Sequence, residues 1–422
     1  MANMNELLAN IVRKQKNEAE RILRVASVKR SLEQKIRASL REPSIKVISG
    51  PRRAGKSTLA LQALKGSEAA YFNFEDEELQ FDYDGEKILG ALREVYPGYK
   101  IILFDEIQLF PNWEKLVNRL NRIGENIIIT GSNSKMLSSE LSSSLTGRYK
   151  EFQLLPFSFS EYILATKKSA ESDSFMDFLT TGGFPTVVTG RSSGKEFLKT
   201  LWDAIILKDL VQRYRVRRVS ELKSLLYLAL TNMASRCSIR SLERAINHQL
   251  SHSTISKFLS WAESGYLVCA LENYSHKARE RVNSEKKFYL FDNGFYSAHQ
   301  LSGGRDYGKL LENFVFIELV RRGFVPNLTL FSYKTNSSYE VDFYLPPSSG
   351  KASLIQVAYS ISSQTTLARE TRALIAAANE LNAKNLYIIS CDDAEQKIKI
   401  DDHKITVLPA WEISSIIESQ TT

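Results

Sequence analysis

Cysteine is scarce in this sequence, with 3 residues, Cys237, Cys269 and Cys391, among 422. They are far apart and odd in number, and no pair has the spacing of a zinc site or of a disulfide framework. We therefore expect reduced cysteines and a reducing compartment.

Long apolar runs are also lacking. No segment is long enough to cross a bilayer, and residues 1–6 contain no apolar core of a secretory signal. These absences predict a cytoplasmic protein without a membrane partner.

Acidic residues are fewer than basic ones, 48 against 56, which leaves a net charge of +8. This excess favours a polyanionic partner but does not determine the fold.

The overall composition excludes a disordered or fibrous chain. Hydrophobic residues make up 43% and charged residues 25%, which are ordinary values for a globular protein. A length of 422 residues predicts two to four domains.

One short stretch carries the strongest chemical signal. Residues 50–57 have a glycine, four residues and then Gly-Lys-Ser, the pattern of a phosphate-binding loop. The glycines free backbone N–H groups to surround phosphate oxygens, and Lys56 can reach the β- and γ-phosphates. An apolar segment, 45–49, precedes the loop and a helical pattern follows it, which together make an anion site. We predict that ATP is bound by Gly50, Pro51, Arg52, Arg53, Ala54, Gly55, Lys56, Ser57 and Thr58.

A second apolar run, 101–104, ends in two carboxylates, Asp105 and Glu106. An Asp at a strand end can hold Mg²⁺ through water, and the adjacent Glu can polarise the attacking water. One further strand separates the phosphate loop from this pair, and that order predicts the additional-strand class of P-loop ATPases. We predict Glu106 and Lys56 as catalytic residues, and Ser57 and Asp105 as metal ligands.

Two further positions are candidates for the same site. The strand 126–130 ends in Gly131-Ser132-Asn133, where Ser132 or Asn133 would sense the γ-phosphate. We assign Asn133 to catalysis and Ser132 to nucleotide binding. Arg148, just before another strand, has two interpretations. It is either an arginine finger offered to a neighbouring subunit's nucleotide or a member of a structural ion pair.

Several motifs together resemble a known family, the bacterial and archaeal AAA-type ATPases that carry a C-terminal domain of unknown function with a nuclease-like fold. The resemblance covers nearly the whole chain and implies ATPase machinery. The motifs are residues 50–57, Phe104-Asp105-Glu106-Ile107-Gln108 with Trp113, Thr130-Gly131-Ser132, Gly147-Arg148, Pro156-Phe157-Ser158-Phe159-Ser160-Glu161, Gly182-Gly183-Phe184-Pro185, Phe291-Asp292-Asn293-Gly294 and Leu311-Glu312-Asn313.

Basic segments flank the predicted ATPase core. Residues 5–42 have a helical pattern, and from Arg13 to Arg41 ten lysines and arginines stand against three glutamates. We interpret this excess as a solvated helix face, with a nucleic-acid-binding arm as the alternative.

Residues 156–220 are predicted to form a helical lid that closes on the nucleotide.

Residues 221–290 resemble a winged helix-turn-helix. The third predicted helix begins at Ser251 and has the polar start of a recognition helix. The alternative is an architectural three-helix module. Groove-facing candidates are Ser251, Ser253, Ser256 and Lys257. In the following hairpin, the residues predicted to meet phosphates are Lys277, Arg279, Arg281, Lys286 and Lys287.

The last part, 291–422, has an order of helices and strands similar to that of PD-(D/E)xK nucleases. In active members, acids and a lysine on this fold bind metal and activate water. Glu312 and Asp342 supply acids, but the third strand reads Gln356-Val357-Ala358, and alanine cannot replace the lysine. We predict a nuclease relic used for binding or assembly, unless Lys334 or Lys351 takes the lysine's role.

These predictions combine into one hypothesis. The chain would be an α/β protein with a P-loop ATPase domain (1–155), a lid (156–220), a winged-helix domain (221–290) and a nuclease-like domain (291–422). It would be a Mg²⁺-dependent ATPase, active as a ring or head-to-tail homo-oligomer, that binds or remodels DNA. The main alternative is an ATP-gated signalling or defence switch acting on a protein partner; an active nuclease is a third, less favoured by Ala358.

Overall fold

The computed structural model describes residues 4–26, 28–79, 83–132, 148–300, 306–347, 351–392 and 395–413. The chain divides into two compact units, Met1–Pro156 and Phe157–Thr422. The predicted four-part division, at 1–155, 156–220, 221–290 and 291–422, remains a prediction.

The first unit is built on a parallel sheet in the order β2-β3-β4-β1-β5. The strand β4 lies between β1, which precedes the phosphate loop, and β3, which ends in the acidic pair. The strand that separates the two motifs along the chain, β2, lies at the edge of the sheet, while β4 separates them within it, as in the predicted additional-strand class of P-loop ATPases. The strands are β1 Ile45–Ser49, β2 Ala69–Asn73, β3 Ile101–Asp105, β4 Asn126–Gly131 and β5 Tyr149–Gln153.

Helices cover both faces of this sheet, so its strands are near-continuous apolar runs. One core contains Phe72 and Phe104, and the core on the other face contains Leu103 and Ile128. The helices are α1 Met4–Val25, α2 Leu32–Ser39, α3 Lys56–Leu64, α4 Gly85–Val95 and α5 Trp113–Arg122, with a short 3₁₀ turn at Ile107–Leu109.

The helix α1 covers the open edge of β2. The side-chain amide of Gln15 accepts a hydrogen bond from the Asn73 N–H at 3.0 Å and donates one to the Asn73 carbonyl at 3.0 Å. An unpaired strand edge would otherwise be a template for aggregation. Basic residues on this helix pair with acids of the same unit, as in Lys14 with Glu78 at 2.7 Å, so part of the basic excess is already neutralised.

The predicted helical stretch 5–42 is not continuous. The structure ends α1 at Val25 and begins α2 at Leu32. Between them lies Arg30, whose buried guanidinium donates to the carbonyls of Ala54 at 3.0 Å and Leu155 at 2.7 Å. The interruption of the helix therefore coincides with a buried side chain that joins this segment to the rest of the unit.

The second unit contains two sheets. A small antiparallel sheet has the order β6-β8-β7, and a six-stranded mixed sheet has the order β13-β14-β12-β11-β10-β9. Its strands are β6 Arg236–Cys237, β7 Val268–Glu272, β8 Lys286–Leu290, β9 Phe331–Lys334, β10 Glu340–Leu345, β11 Ser353–Val357, β12 Asn385–Ser390, β13 Gln396–Ile400 and β14 His403–Pro409.

The helices of the second unit surround these sheets. They are α6 Phe159–Thr166, α7 Ser172–Thr181, α8 Pro185–Val188, α9 Gly194–Ala204 with a π-helical continuation Ile205–Gln212, α10 Val219–Thr231, α11 Ile239–Ala245, α12 His252–Ser264, α13 Ala278–Asn283, α14 Asn293–His299, α15 Tyr307–Arg321 and α16 Gln364–Leu381, with a 3₁₀ turn at Ala410–Glu412. Within the described part of the chain, no helix is both long enough and apolar enough to pass through a bilayer.

The family motifs of the second unit meet in one buried hydrogen-bond network. Asp292 accepts bonds from the N–H groups of Gly183 at 2.7 Å and Gly294 at 2.8 Å. Asn313 donates to the side chain of Asn293 at 2.7 Å and accepts from a strand β8 amide. Burial raises the pKa of Asp292 to about 7, although the two backbone donors oppose this. Three motifs distant in sequence therefore form one structural cluster.

The Pro-Phe-Ser-Phe motif has a local structural role. The Ser158 hydroxyl accepts from the Glu161 N–H at 3.3 Å, and the Glu161 carboxylate accepts from the Ser158 N–H at 3.0 Å. This reciprocal capping box satisfies two N–H groups at the start of α6. The Phe157 N–H also donates to the Gly183 carbonyl at 2.7 Å, which joins this motif to the Gly-Gly-Phe-Pro segment.

Candidate nucleotide site

The phosphate loop connects strand β1 to helix α3 and requires glycine at both of its fixed positions. A Cβ atom at Gly50 would lie 2.0 Å from the Leu154 carbonyl oxygen. Gly55 has a φ of 95° directly before the helix begins, a conformation that other residues rarely adopt. The loop therefore places its backbone N–H groups beside the N-terminus of α3, where anions are favoured.

Asp105 lies at the end of β3 and is held by three hydroxyl groups. Ser57 donates to its Oδ1 atom at 2.9 Å, Tyr71 donates to Oδ2 at 3.0 Å, and Thr130 also donates to Oδ1. Burial and the neighbouring charge of Glu106 raise the pKa of Asp105, while the three donors oppose that rise. A serine hydroxyl and a carboxylate this close are oxygen ligands of the kind that Mg²⁺ prefers.

Glu106 follows Asp105 with a left-handed backbone, at a φ of 50°. Its N–H donates to the Thr130 hydroxyl at 3.0 Å, and its carboxylate lies 3.4 Å from the Lys56 ammonium and accepts from Gln108. Burial acts to raise the pKa of Glu106, but the charge of Lys56, the hydrogen bond from Gln108 and the charge of Arg52 together outweigh it, so the pKa is lowered. The left-handed backbone conformation of Glu106 costs about 1 kcal/mol or more, and such conformations are typical of functional sites.

Thr130 connects the two acidic residues. Its hydroxyl donates to Asp105 and accepts from the Glu106 N–H, so both positions depend on one side chain. The predicted γ-phosphate sensors were the next polar residues, Ser132 and Asn133. Ser132 is fully buried directly after β4, and Asn133 lies outside the described residues.

The other predicted loop residues differ in exposure. Pro51 and Ala54 are buried, Arg53 is exposed, and Thr58 is half-buried. Arg52 is paired with Glu75.

Arg148 lies far from the phosphate loop of its own chain. It is exposed, and its carbonyl accepts from the Ile45 N–H at 2.9 Å, at the start of β1. The loop follows the other end of this five-residue strand, about 16 Å away at about 3.3 Å per residue. Among ion pairs between described residues, none involves Arg148.

The sequence prediction missed four residues of the site: Arg30, Tyr71, Gln108 and Thr130. Gln108 and Thr130 belong to the quoted family motifs, so their positions carried a signal that was not assigned a role. Tyr71 lies on β2 and Arg30 in the α1–α2 connection, and no sequence pattern marks either. Both act across the fold, which periodicity and spacing do not describe.

The predicted phosphate-contacting hairpin is partly wrong. Lys286 and Lys287 are buried because their ammonium groups pair with acids inside the unit. Arg281 is half-buried and lies over the Phe331 ring at 5.7 Å. Lys277 and Arg279 are exposed.

Comparisons with known proteins agree with this geometry. A family model described as an AAA domain matches residues 42–163. Two domains of unknown function follow, DUF8612 at 172–306 and DUF4143 at 307–413. An uncharacterized protein of Methanocaldococcus jannaschii is 35% identical over 419 residues, which cover 93% of this chain and 93% of that protein. The chain belongs to the AAA–DUF4143 family.

A second member of the AAA–DUF4143 family comes from a bacterium. An uncharacterized protein of Haemophilus influenzae is 32% identical over 343 residues, which cover 76% of this chain and 84% of that protein. The resemblance to AAA-type ATPases with a C-terminal domain of unknown function is thus confirmed. None of these descriptions names a nuclease.

Solved structures give weaker likenesses. The Walker-type ATPase of Pyrococcus abyssi has a TM-score of 0.45 and 16% identity, covering 64% of this chain and 95% of that one. AMPPCP-bound DnaA from Aquifex aeolicus has a TM-score of 0.29 and 14% identity, covering 55% and 86%. Scores this low carry no argument about function, and the assignment to an AAA-type P-loop ATPase fold comes from the family match and the sheet order.

Proposed function

We propose that this protein is a Mg²⁺-dependent ATPase in which Glu106 is the general base. The observation that supports this most is the contact between Lys56 and Glu106 beside Asp105. The ammonium lies 3.4 Å from the Glu106 carboxylate and donates to the Pro51 carbonyl at 3.2 Å. ATP phosphates would compete for this ammonium, and the carboxylate would then be released to face a water molecule.

The residues divide the hydrolysis between them. Glu106 accepts a proton from the attacking water. The water oxygen bonds to the γ-phosphorus, and the bond between the γ-phosphorus and the bridging oxygen of the β-phosphate breaks. Lys56 and the loop N–H groups stabilise charge on the phosphate oxygens. Ser57 and Asp105 would hold Mg²⁺, which when bound neutralises phosphate charge. Thr130 keeps Asp105 and Glu106 in fixed positions relative to each other during the reaction.

The DNA-binding part of the hypothesis is supported by the order of elements in residues 219–290. Helices α10, α11 and α12 with the sheet β6-β8-β7 have the order of a winged helix. At the start of α12, Ser251, Ser253 and Lys257 are exposed, while Ser256 bonds back to the His252 carbonyl. We propose that this helix contacts DNA and that the ATPase remodels it.

A signalling switch with a protein partner is the second candidate. It is favoured by the hairpin after β7, which is occupied within the unit: the Tyr274 N–H donates to the Ser332 carbonyl at 2.8 Å, and Tyr274 packs on Tyr344. A hairpin used in this way offers fewer groups to phosphates. A cytoplasmic location, the lid and the head-to-tail homo-oligomer remain parts of the same proposal.

Phosphate release by the purified chain tests the proposal. We expect turnover with Mg²⁺, none with EDTA, and none in Lys56→Ala. Duplex, single-stranded and branched DNA are then added at low and physiological salt. Stimulation that falls steeply with salt supports DNA as the partner, whereas unchanged turnover with no DNA binding at low salt supports the switch. An active Lys56→Ala protein would contradict the assignment of the nucleotide site.

A further inference from the structure

A second group of carboxylates lies in the C-terminal part of the chain. Glu312 is on α15, and Glu340 and Asp342 are on β10. The antiparallel strands β9, β10 and β11, the helix α16 and the parallel strand β12 follow the order predicted from the nuclease resemblance. Such a centre implies a divalent cation between the helix acid and the strand acid. The structure does bring Glu312 and Asp342 together, but a lysine lies between them.

Lys287 reaches this centre from β8, which belongs to the other sheet. Its ammonium nitrogen lies 2.9 Å from Glu312 Oε1, 2.6 Å from Glu340 Oε1 and 2.8 Å from Asp342 Oδ1. The side chain is 3% exposed. The ammonium donates hydrogen bonds to Glu312 and Asp342 and forms an ion pair with Glu340, so three carboxylates surround it.

The second oxygens of the strand acids are also occupied. Asp342 Oδ2 accepts from the Val357 N–H at 2.9 Å, and Glu340 Oε2 pairs with Arg236 at 3.0 Å. Tyr289 donates to Glu312 Oε1 at 2.7 Å. These contacts keep the carboxylate oxygens close to the Lys287 ammonium nitrogen.

Gln356 stands where active nucleases have a further acid, and its amide is committed elsewhere. Its nitrogen donates to Glu370 at 2.7 Å, and its oxygen accepts from the Asp342 N–H at 3.3 Å. The two lysines considered from sequence, Lys334 and Lys351, are both exposed. The described residues therefore do not fit a nuclease metal centre.

We propose that the ammonium of Lys287 occupies the cation position of this centre, closes it to divalent metal, and fastens β8 to the C-terminal sheet. Mg²⁺ binds oxygens at about 2.0–2.1 Å, so it cannot share these oxygens with an ammonium in the same place. Three carboxylates gathered at one place, with Asp342 buried and Glu312 14% exposed, would be unfavourable without a cation between them.

The charges around the centre agree with this assignment. Burial acts to lower the pKa of Lys287, but Asp342, Glu312 and Glu340 outweigh it and raise the pKa above its ordinary value. Burial and the charge of Asp342 raise the pKa of Glu312 to about 7, against Lys287. Lys287 and Arg236 supply two positive charges for the three carboxylates. A proton on Glu312 can neutralise the remaining negative charge, so no metal is needed for charge balance.

The test is metal binding by the EDTA-treated full chain without nucleotide. Lys287→Met empties the proposed cation position, and Lys286→Met is the matched control, because it removes a neighbouring buried lysine that pairs with Glu272 instead. We expect Lys287→Met to bind one more Mn²⁺ per chain than wild type by electron paramagnetic resonance. Its unfolding temperature should rise with Mn²⁺ by about 3 °C or more, and the added Asp342→Asn change should abolish both effects.

Stability provides a second measurement if Lys287→Met folds poorly. The double variant Lys287→Met/Asp342→Asn leaves fewer unpaired buried carboxylates, so it should unfold at a higher temperature than Lys287→Met alone. Equal or lower stability of the double variant would contradict the proposal, as would a folded Lys287→Met chain that binds no additional Mn²⁺. Wild-type Mn²⁺ binding that Asp342→Asn removes, or DNA cleavage that Lys287→Met removes, would instead make Lys287 part of an active metal centre.

Discussion

Replacing Thr130 by valine should damage the nucleotide site without changing its shape. Valine has nearly the same outline but lacks the hydroxyl that donates to Asp105 and accepts from the Glu106 N–H. A hydrogen bond to a charged group contributes about 1.5–3 kcal/mol, and an unsatisfied buried N–H costs about 1–3 kcal/mol. We therefore expect the free energy of unfolding to fall by about 3 kcal/mol.

Turnover should fall more than binding in this variant. If Thr130 stabilises the transition state by about 3 kcal/mol more than the bound ground state, its loss decreases kcat by about 100-fold, because Glu106 is no longer held in its left-handed conformation. Thr130→Ser retains the hydroxyl and should recover most of the activity. Thr371→Val is a matched control, since that buried hydroxyl bonds within its own helix. Steady-state phosphate release and urea unfolding measure both effects, and a Thr130→Val protein within about threefold of wild-type kcat would refute the bridging role.

Three further outcomes are expected. Lys56→Ala should lose ATP binding in a fluorescent-nucleotide titration, because the phosphates lose the loop ammonium that can reach their β- and γ-oxygens; retained affinity would contradict this. Arg148→Ala mixed with Lys56→Ala should regain turnover if the finger acts between subunits, whereas no recovery in the mixture, or a fully active wild-type monomer, would argue against it. Asp292 has an ordinary pKa of 3.8 and a folded pKa of about 7, so the folded chain keeps a proton that the unfolded chain releases. Stability should fall as pH rises from about 4 to about 7, and Asp292→Asn should reduce this slope in pH-dependent unfolding; an unchanged slope would contradict the assignment.

Much of the fold follows from local sequence. Short apolar runs bounded by polar residues predicted β1, β3 and β4 to within one residue of their observed ends, because both faces of a parallel sheet are buried and leave an unbroken hydrophobic signal. The fixed spacing of the phosphate loop likewise located Lys56 and Ser57.

The remaining features depend on contacts between distant segments. Lys287 follows Lys286 in a basic run, and only the folded chain distinguishes a lysine among three carboxylates from one on the surface. Arg30 and Tyr71 reach the nucleotide site across the fold, so their roles have no periodic signature. The wing hypothesis failed for Lys286 and Lys287 because charge patterning does not reveal where buried acids lie.

The Glu106→Gln variant tests the central claim most directly. Glutamine keeps the size of the side chain and leaves Ser57 and Asp105 unchanged, so ATP and Mg²⁺ should bind as in wild type. It cannot accept the proton of the attacking water, so hydrolysis should stop. Nucleotide binding and phosphate release are measured on the same preparation. Retained binding with turnover reduced at least about 100-fold is the predicted result, and wild-type hydrolysis by this variant would contradict the account.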